Sequence, residues 1–146
     1  MSHQELSNHT EATVLQFLET AHALQRDLDN ALSLARGISF SEYRILRALA
    51  NVYSGGAPRI DLARAVGLTP SAVTRALKPL EKLGYVTTEK GGRDARQSRA
   101  LLTTGGRTLL DDAQGVLRDT LMSLPINQQN TDDIEIFRVC LGALRR

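Results

Sequence analysis

Five side chains between Ser71 and Lys82 share one kind of chemistry. Ser71, Thr74, Arg75, Lys78 and Lys82 are hydroxyls and cations, and helical spacing puts them on one side of a helix. Such groups hydrogen-bond to phosphate oxygens and to the edges of bases. The other side holds Val73, Ala76, Leu77, Leu80 and Leu83, an apolar stripe that needs a core. An ordinary solvated face would mix charge signs, whereas this one has no carboxylate. The helix marks its own ends. Thr69 is a good N-cap, Pro70 suits the first helical position, and Gly84 suits the residue just past the end. Pro79 lies inside, so the Arg75 carbonyl loses its usual donor. A bend or a tighter last turn is expected near Lys78.

A hairpin follows. Tyr85 to Lys90 and Ser98 to Thr103 read as its strands, joined by Gly91-Gly92-Arg93-Asp94-Ala95-Arg96-Gln97. An arginine on a narrow tip can enter a DNA minor groove, where the negative potential is strongest. Asp94 would repel phosphate, so it reads instead as a bracket that holds a neighbouring guanidinium. Alone, the hairpin fits an ordinary exposed turn with charges for solubility equally well. Directly after the cationic helix, the nucleic-acid reading is the stronger one.

These elements need a frame. Ile60 to Val66 forms a short helix with Leu62, Ala63 and Val66 inward, and Gly67-Leu68 makes the turn into the second helix. Helix, turn, helix, then hairpin is the order of a winged helix-turn-helix, which places its second helix in a major groove. The run LEKLGYVTTEKGGRDARQSRALLTTGGRTLL resembles the multiple-antibiotic-resistance regulator (MarR) family. The shared features are Leu80 to Gly84, Asp94 and Arg96 in the wing, and Leu102-Thr103 with Gly106 opening a long helix. FSEYRILRALA and RIDLARAVGLTPSAVTRAL resemble the family's preceding helices. The likeness is good from about Ala31 to Leu110, and Gly105 and Pro79 depart from it slightly. It implies a short extra strand before Ile60, leaning on the wing, and a dimer with the first, fifth and sixth helices intertwined.

Charge supports the same reading without the family. Val52 to Arg107 holds ten Lys or Arg against four Asp or Glu, although the whole chain is only +2. A basic middle between acidic flanks concentrates attraction for a polyanion in one module. With no Trp and few aromatics, the core must be aliphatic. No apolar run is long enough to span a membrane, and the polar start MSHQELSNHTEA lacks signal-peptide features, so a cytoplasmic location is expected.

Outside the basic middle, the pattern is long and amphipathic. From about Thr10 to Arg36, Val14, Phe17, Ala21, Leu24, Leu28, Ala31 and Ala35 form a heptad-like seam, widened by Leu18 and Leu32. Gly37 ends that helix. Ser39 or Ser41 caps the next, which runs to about Val52 with Ile45, Leu46, Ala48 and Leu49 inward. Thr103 caps another long helix through Leu121, stopped by Pro125. Asn130 or Thr131 caps the last, with Ile134, Phe137, Leu141 and Leu144 on one side. These wide apolar faces at the two ends suit a two-fold dimer, which would hold two recognition helices about 34 Å apart, one DNA turn. The expected organisation is a mainly α chain with a small β-hairpin wing. It divides into a tail and dimerisation helix (1–36), a winged helix-turn-helix lobe (37–103) and C-terminal dimerisation helices (104–146).

Other chemistries find little support. The histidines His3, His9 and His22 have no metal-spaced partners, and a single Cys140 excludes an internal disulfide. Cys140 reads as a buried packing residue rather than a redox sensor. No metal, cofactor or catalytic set is expected. The resemblance implies a cleft for small aromatic acids between lobe and dimerisation helices; His22, Arg26, Tyr43 and Arg47 are of suitable type. The expected function is a homodimeric, sequence-specific DNA-binding regulator, a repressor relieved by a small-molecule effector, acting on a pseudo-palindromic duplex. Its DNA-binding set is Thr69, Ser71, Thr74, Arg75 and Lys78 in the major groove, Arg96 braced by Asp94 in the minor groove, and Arg93 and Arg99 near the backbone. Two alternatives stay open: a winged-helix module that binds protein, and a DNA-binding regulator with no ligand.

Overall fold

The first helix starts earlier than its apolar seam requires. In the computed structural model, which describes residues 1–90 and 98–146, α1 spans His3–Arg36. Sequence reading leaves a polar tail up to about Thr10; the tail is helical instead. The cause is a reciprocal cap. The Ser2 backbone N–H donates to the Glu5 carboxylate at 2.7 Å, and the Glu5 N–H donates to Ser2 Oγ at 3.2 Å. The Ser2 N–H, and after it the Ser2 hydroxyl, hold the Glu5 carboxyl below its ordinary range.

The remaining elements are α2 (Phe40–Asn51), β1 (Ala57–Pro58), α3 (Arg59–Val66), α4 (Pro70–Lys82), β2 (Val86–Glu89), β3 (Arg99–Leu102), α5 (Thr104–Met122) and α6 (Thr131–Gly142). A 3-10 turn, Pro125–Gln128, separates the last two helices. Ser39 is the cap of α2, with its Oγ accepting from the Glu42 N–H at 3.0 Å. Asp29 of α1 accepts from the Phe40 N–H at 2.6 Å, which ties the start of α2 to the long helix. The strands form one antiparallel sheet in the order β1–β3–β2, with Ala57 opposite Ala100 and Val86 opposite Leu102. The short β1 is the extra strand that the resemblance implies.

One apolar core holds these elements together. Ile45, Leu46 and Leu49 of α2, Leu62 of α3, Val73, Leu77 and Leu80 of α4, and Val86 of β2 are all within 1–2% of full burial. From α5 come Leu109, Leu110 and Ala113, and from α1 comes Leu32. Each large aliphatic side chain so buried contributes about 1.5–3 kcal/mol. α4 is therefore set on the core by its inner stripe. Leu83 is the exception: expected in that stripe, it is 64% exposed. It lies one residue past the helix, in the cap, where the stripe has run beyond the core.

The helix continues through Pro79 to Lys82, and the Leu83 N–H donates to the Pro79 carbonyl at 3.1 Å, a full α-turn. The tighter turn comes after it. The Tyr85 N–H donates to Leu80 O at 2.9 Å and the Gly84 N–H to Glu81 O at 3.0 Å, around Gly84 at φ 80°. This is a Schellman ending, which needs a residue free to take positive φ. Thr103 then locks the wing to α5. Its backbone N–H donates to Tyr85 O at 3.1 Å, and its Oγ1 lies 2.7 Å from Gly84 O while accepting from the Gly106 N–H at 3.0 Å. A methyl group on Gly106 would run into the Tyr85 carbonyl and Leu102, so the first turn of α5 seats against the wing root only because Gly106 has none.

The chain's outer helices are left uncovered. In α6 no residue is buried; Phe137 is 44% exposed and Ile136 62%. In α1, Leu15 and Leu18 are more than half exposed, while Leu28 and Leu32 alone are buried. Cys140 is exposed, not buried as its sequence context suggests. It lies outside the open cleft that Phe137 and Leu141 of α6 line together with Phe17, Ala21 and Leu24 of α1.

Candidate nucleic-acid interface

The outer face of α4 is built by its cap and its inner stripe. Thr69 Oγ1 accepts from the Ala72 N–H at 3.1 Å, and Pro70 follows at the first helical position. With Val73, Leu77 and Leu80 turned into the core, Ser71, Arg75, Lys78 and Lys82 are exposed and Thr74 is half-buried. The helix N-terminus adds its own partial positive charge to this face. Thr69 is also exposed, at the leading edge.

Arg99 stands on β3, opposite Pro58 and Glu89, and its Nη2 donates to the Gly56 carbonyl at 3.2 Å. It is thus a strand residue with one arm engaged in holding the loop before β1. Arg93, Asp94 and Arg96 lie outside the described residues.

Arg59 and Glu81 were not legible in the sequence as site residues. Arg59, at the start of α3, donates from Nη1 to Ser98 Oγ at 3.1 Å, and its Nη2 lies 3.8 Å from a Glu81 carboxylate oxygen. The same oxygen accepts from the Thr88 hydroxyl. Glu81 is the only carboxylate in α4, and this pairing draws it off the cationic face. The partners are 39 residues apart at Arg59 and Ser98, so no local pattern announces them.

Of the effector candidates, Tyr43 and Arg47 come together and the other two do not join them. They line a cleft of about 460 Å³ between α2 and α5, with Gln114, Leu117, Arg118 and Leu121 on its other wall. His22 and Arg26 are exposed on α1, away from this lining. Arg118 was missed, because nothing in the sequence signals that α5 brings it opposite Arg47.

A family model described as MarR family matches residues 36–97, the stretch from the end of α1 to the wing. The HTH-type transcriptional repressor Rv2887 of Mycobacterium tuberculosis is 34% identical over 95 residues, covering 65% of this chain and 66% of that protein. Over this middle stretch the chain is similar to the MarR family.

The match spans just under two thirds of that relative's own length. Solved structures extend the likeness of fold over almost the whole chain. BldR from Sulfolobus solfataricus superposes with a TM-score of 0.76 at 22% identity, over 99% of this chain and 100% of that one. Sco3205 of Streptomyces coelicolor, a MarR family regulator solved in complex with DNA, gives 0.79 at 23% identity, over 100% and 94%. Both identities are low, so these two establish architecture.

Proposed function

We propose that this chain is a MarR-family, DNA-binding transcriptional repressor that works as a homodimer. The observation that carries the reading is the outer face of α4, which offers hydroxyls and cations while its one carboxylate is paired with Arg59. In this reading Ser71, Thr74, Arg75 and Lys78 enter a major groove, and Thr69 sits beside a phosphate at the helix start. The wing lies along the minor groove, with Arg96 braced by Asp94 as its probe and Arg93 and Arg99 near the backbone. The relative named as a repressor and the neighbour solved on DNA support it.

Dimerisation is supported by α6 and the first half of α1, which carry apolar side chains that a single chain leaves exposed. A helix without a buried face has little to hold it in water. Residues 1–36 and 104–146 would supply the interface, and the two lobes would then address two half-sites of a pseudo-palindrome. A repressor so built competes with polymerase for its site. The cleft between α2 and α5 suits an effector. Tyr43 and Leu117 offer an apolar wall, and Arg47 and Arg118 suit a carboxylate, so a small aromatic acid is the proposed class. Its binding would change the separation of the lobes and hence the affinity for DNA.

The test is selection of bound duplexes from fragmented genomic DNA, followed by anisotropy on the winning site. A selected site with two inverted half-sites supports the reading; recovery of no preferred duplex contradicts it. Two further outcomes are expected. Arg96→Ala weakens binding to the selected site by about 1–3 kcal/mol with the dimer intact, as measured by anisotropy and sedimentation. Benzoate or salicylate raises the melting temperature of the wild type, and Arg118→Ala removes that rise.

A further inference from the structure

Both strands of the hairpin are also tied to α4 by one partly exposed polar relay. The relay starts at Glu81, on the inner flank of α4. Its carboxylate accepts from the Thr88 hydroxyl on β2 and faces Arg59 Nη2 at 3.8 Å. The other arm of Arg59 reaches Ser98, the residue that leads into β3, at 3.1 Å. Both sides of the hairpin, at 88 and at 98, are therefore referred to the same carboxylate–guanidinium pair. The pair is two-thirds covered, with side-chain exposures of 34% and 31%, so it is less screened than a surface contact. A planar guanidinium can serve two acceptors at fixed angles, which a lysine cannot.

The sign of the charge makes this arrangement informative. A carboxylate on a helix that meets phosphate lowers affinity, and glutamine would fill the same space without that cost. We propose that Glu81 and Arg59 are positioning residues: their pair fixes the angle between α4 and the β2–β3 hairpin, so that both meet one duplex at once. This rests on the DNA-binding reading above. The two residues touch no base themselves. They act by keeping the hairpin from swinging away from the groove next to the one that α4 occupies.

The experiment uses the full-length protein, the duplex selected from genomic DNA, and an unrelated duplex of equal length. Glu81→Gln keeps size and an acceptor for Thr88 but removes the ion pair and a negative charge. Loss of positioning lowers affinity for the selected duplex by about tenfold, within the range for coupled contacting residues. Affinity for the unrelated duplex stays level or rises, because the protein has become more positive. Hydroxyl-radical protection of the minor groove beside each half-site fades in the same variant. Arg59→Gln gives the same loss of selectivity, and the double variant is no worse than either single one. Thr88→Val, an exposed strand position, moves the ratio in the same direction by less and guards against a folding artefact. Equal shifts on both duplexes, or an unchanged footprint, overturn the positioning role while the DNA-binding reading stands. Wild-type protein that prefers no duplex overturns both.

Discussion

Gly106→Ala is expected to lower the melting temperature by about 10 °C, whereas Gly105→Ala leaves it unchanged or raises it slightly. The two glycines are adjacent and both lie in the first turn of α5. Their surroundings differ. A methyl at 105 meets its nearest neighbour, Thr103 Oγ1, at 3.7 Å, ordinary contact distance. A methyl at 106 collides with the Tyr85 carbonyl, a backbone atom that Thr103 also holds in place. That carbonyl cannot swing aside as a side chain would. Overpacking of this kind costs about 1–3 kcal/mol and more where backbone must move. Calorimetry or thermal circular dichroism on the two variants checks it. A Gly106→Ala protein as stable as the wild type would mean that the wing root is far looser than described.

The second large effect concerns assembly. Phe137→Asp together with Leu141→Asp places two carboxylates on the face of α6 that a partner copy would cover. Within a single chain both positions are already partly exposed, so the fold of the lobe should survive. In a dimer they would be buried charges without partners, which an interface cannot accommodate. Sedimentation velocity is expected to show a monomer at micromolar concentration. Binding to the two-half-site duplex then falls by roughly 10²–10⁴, because the second lobe is no longer delivered by the first. A doubly substituted protein that still sediments as a dimer would place the interface elsewhere. Intact DNA affinity in a proven monomer would remove the need for two copies.

How much of this could be read in the sequence depends on the range over which each feature acts. The recognition helix was legible because its cap, its stripe and its terminal glycine are local. Thr69, Val73, Leu77, Leu80 and Gly84 do as their spacing indicates. Thr103 as the cap of α5 was legible for the same reason. Ser2 and Glu5 also carry a local signal, which the polar composition of the first residues obscured. Long-range features were not legible. The pairing of Arg59 with Glu81 and Ser98, the approach of Arg118 to the cleft holding Arg47, and the difference between Gly105 and Gly106 all depend on how elements pack. Cys140 reads as buried because its helix is apolar, yet apolar composition does not bring a covering surface, and no residue of α6 is buried.

Repression as proposed depends most on the cationic face of α4 meeting phosphate. Its direct test is the slope of log binding constant against log salt for the wild type and for Arg75→Ala with Lys78→Ala. A slope of about −0.9 per neutralised phosphate is expected, steep for the wild type and shallower in the variant by about one unit for each phosphate contact removed. Binding that ignores salt, or the same slope in both proteins, would contradict the claim that these side chains hold the duplex.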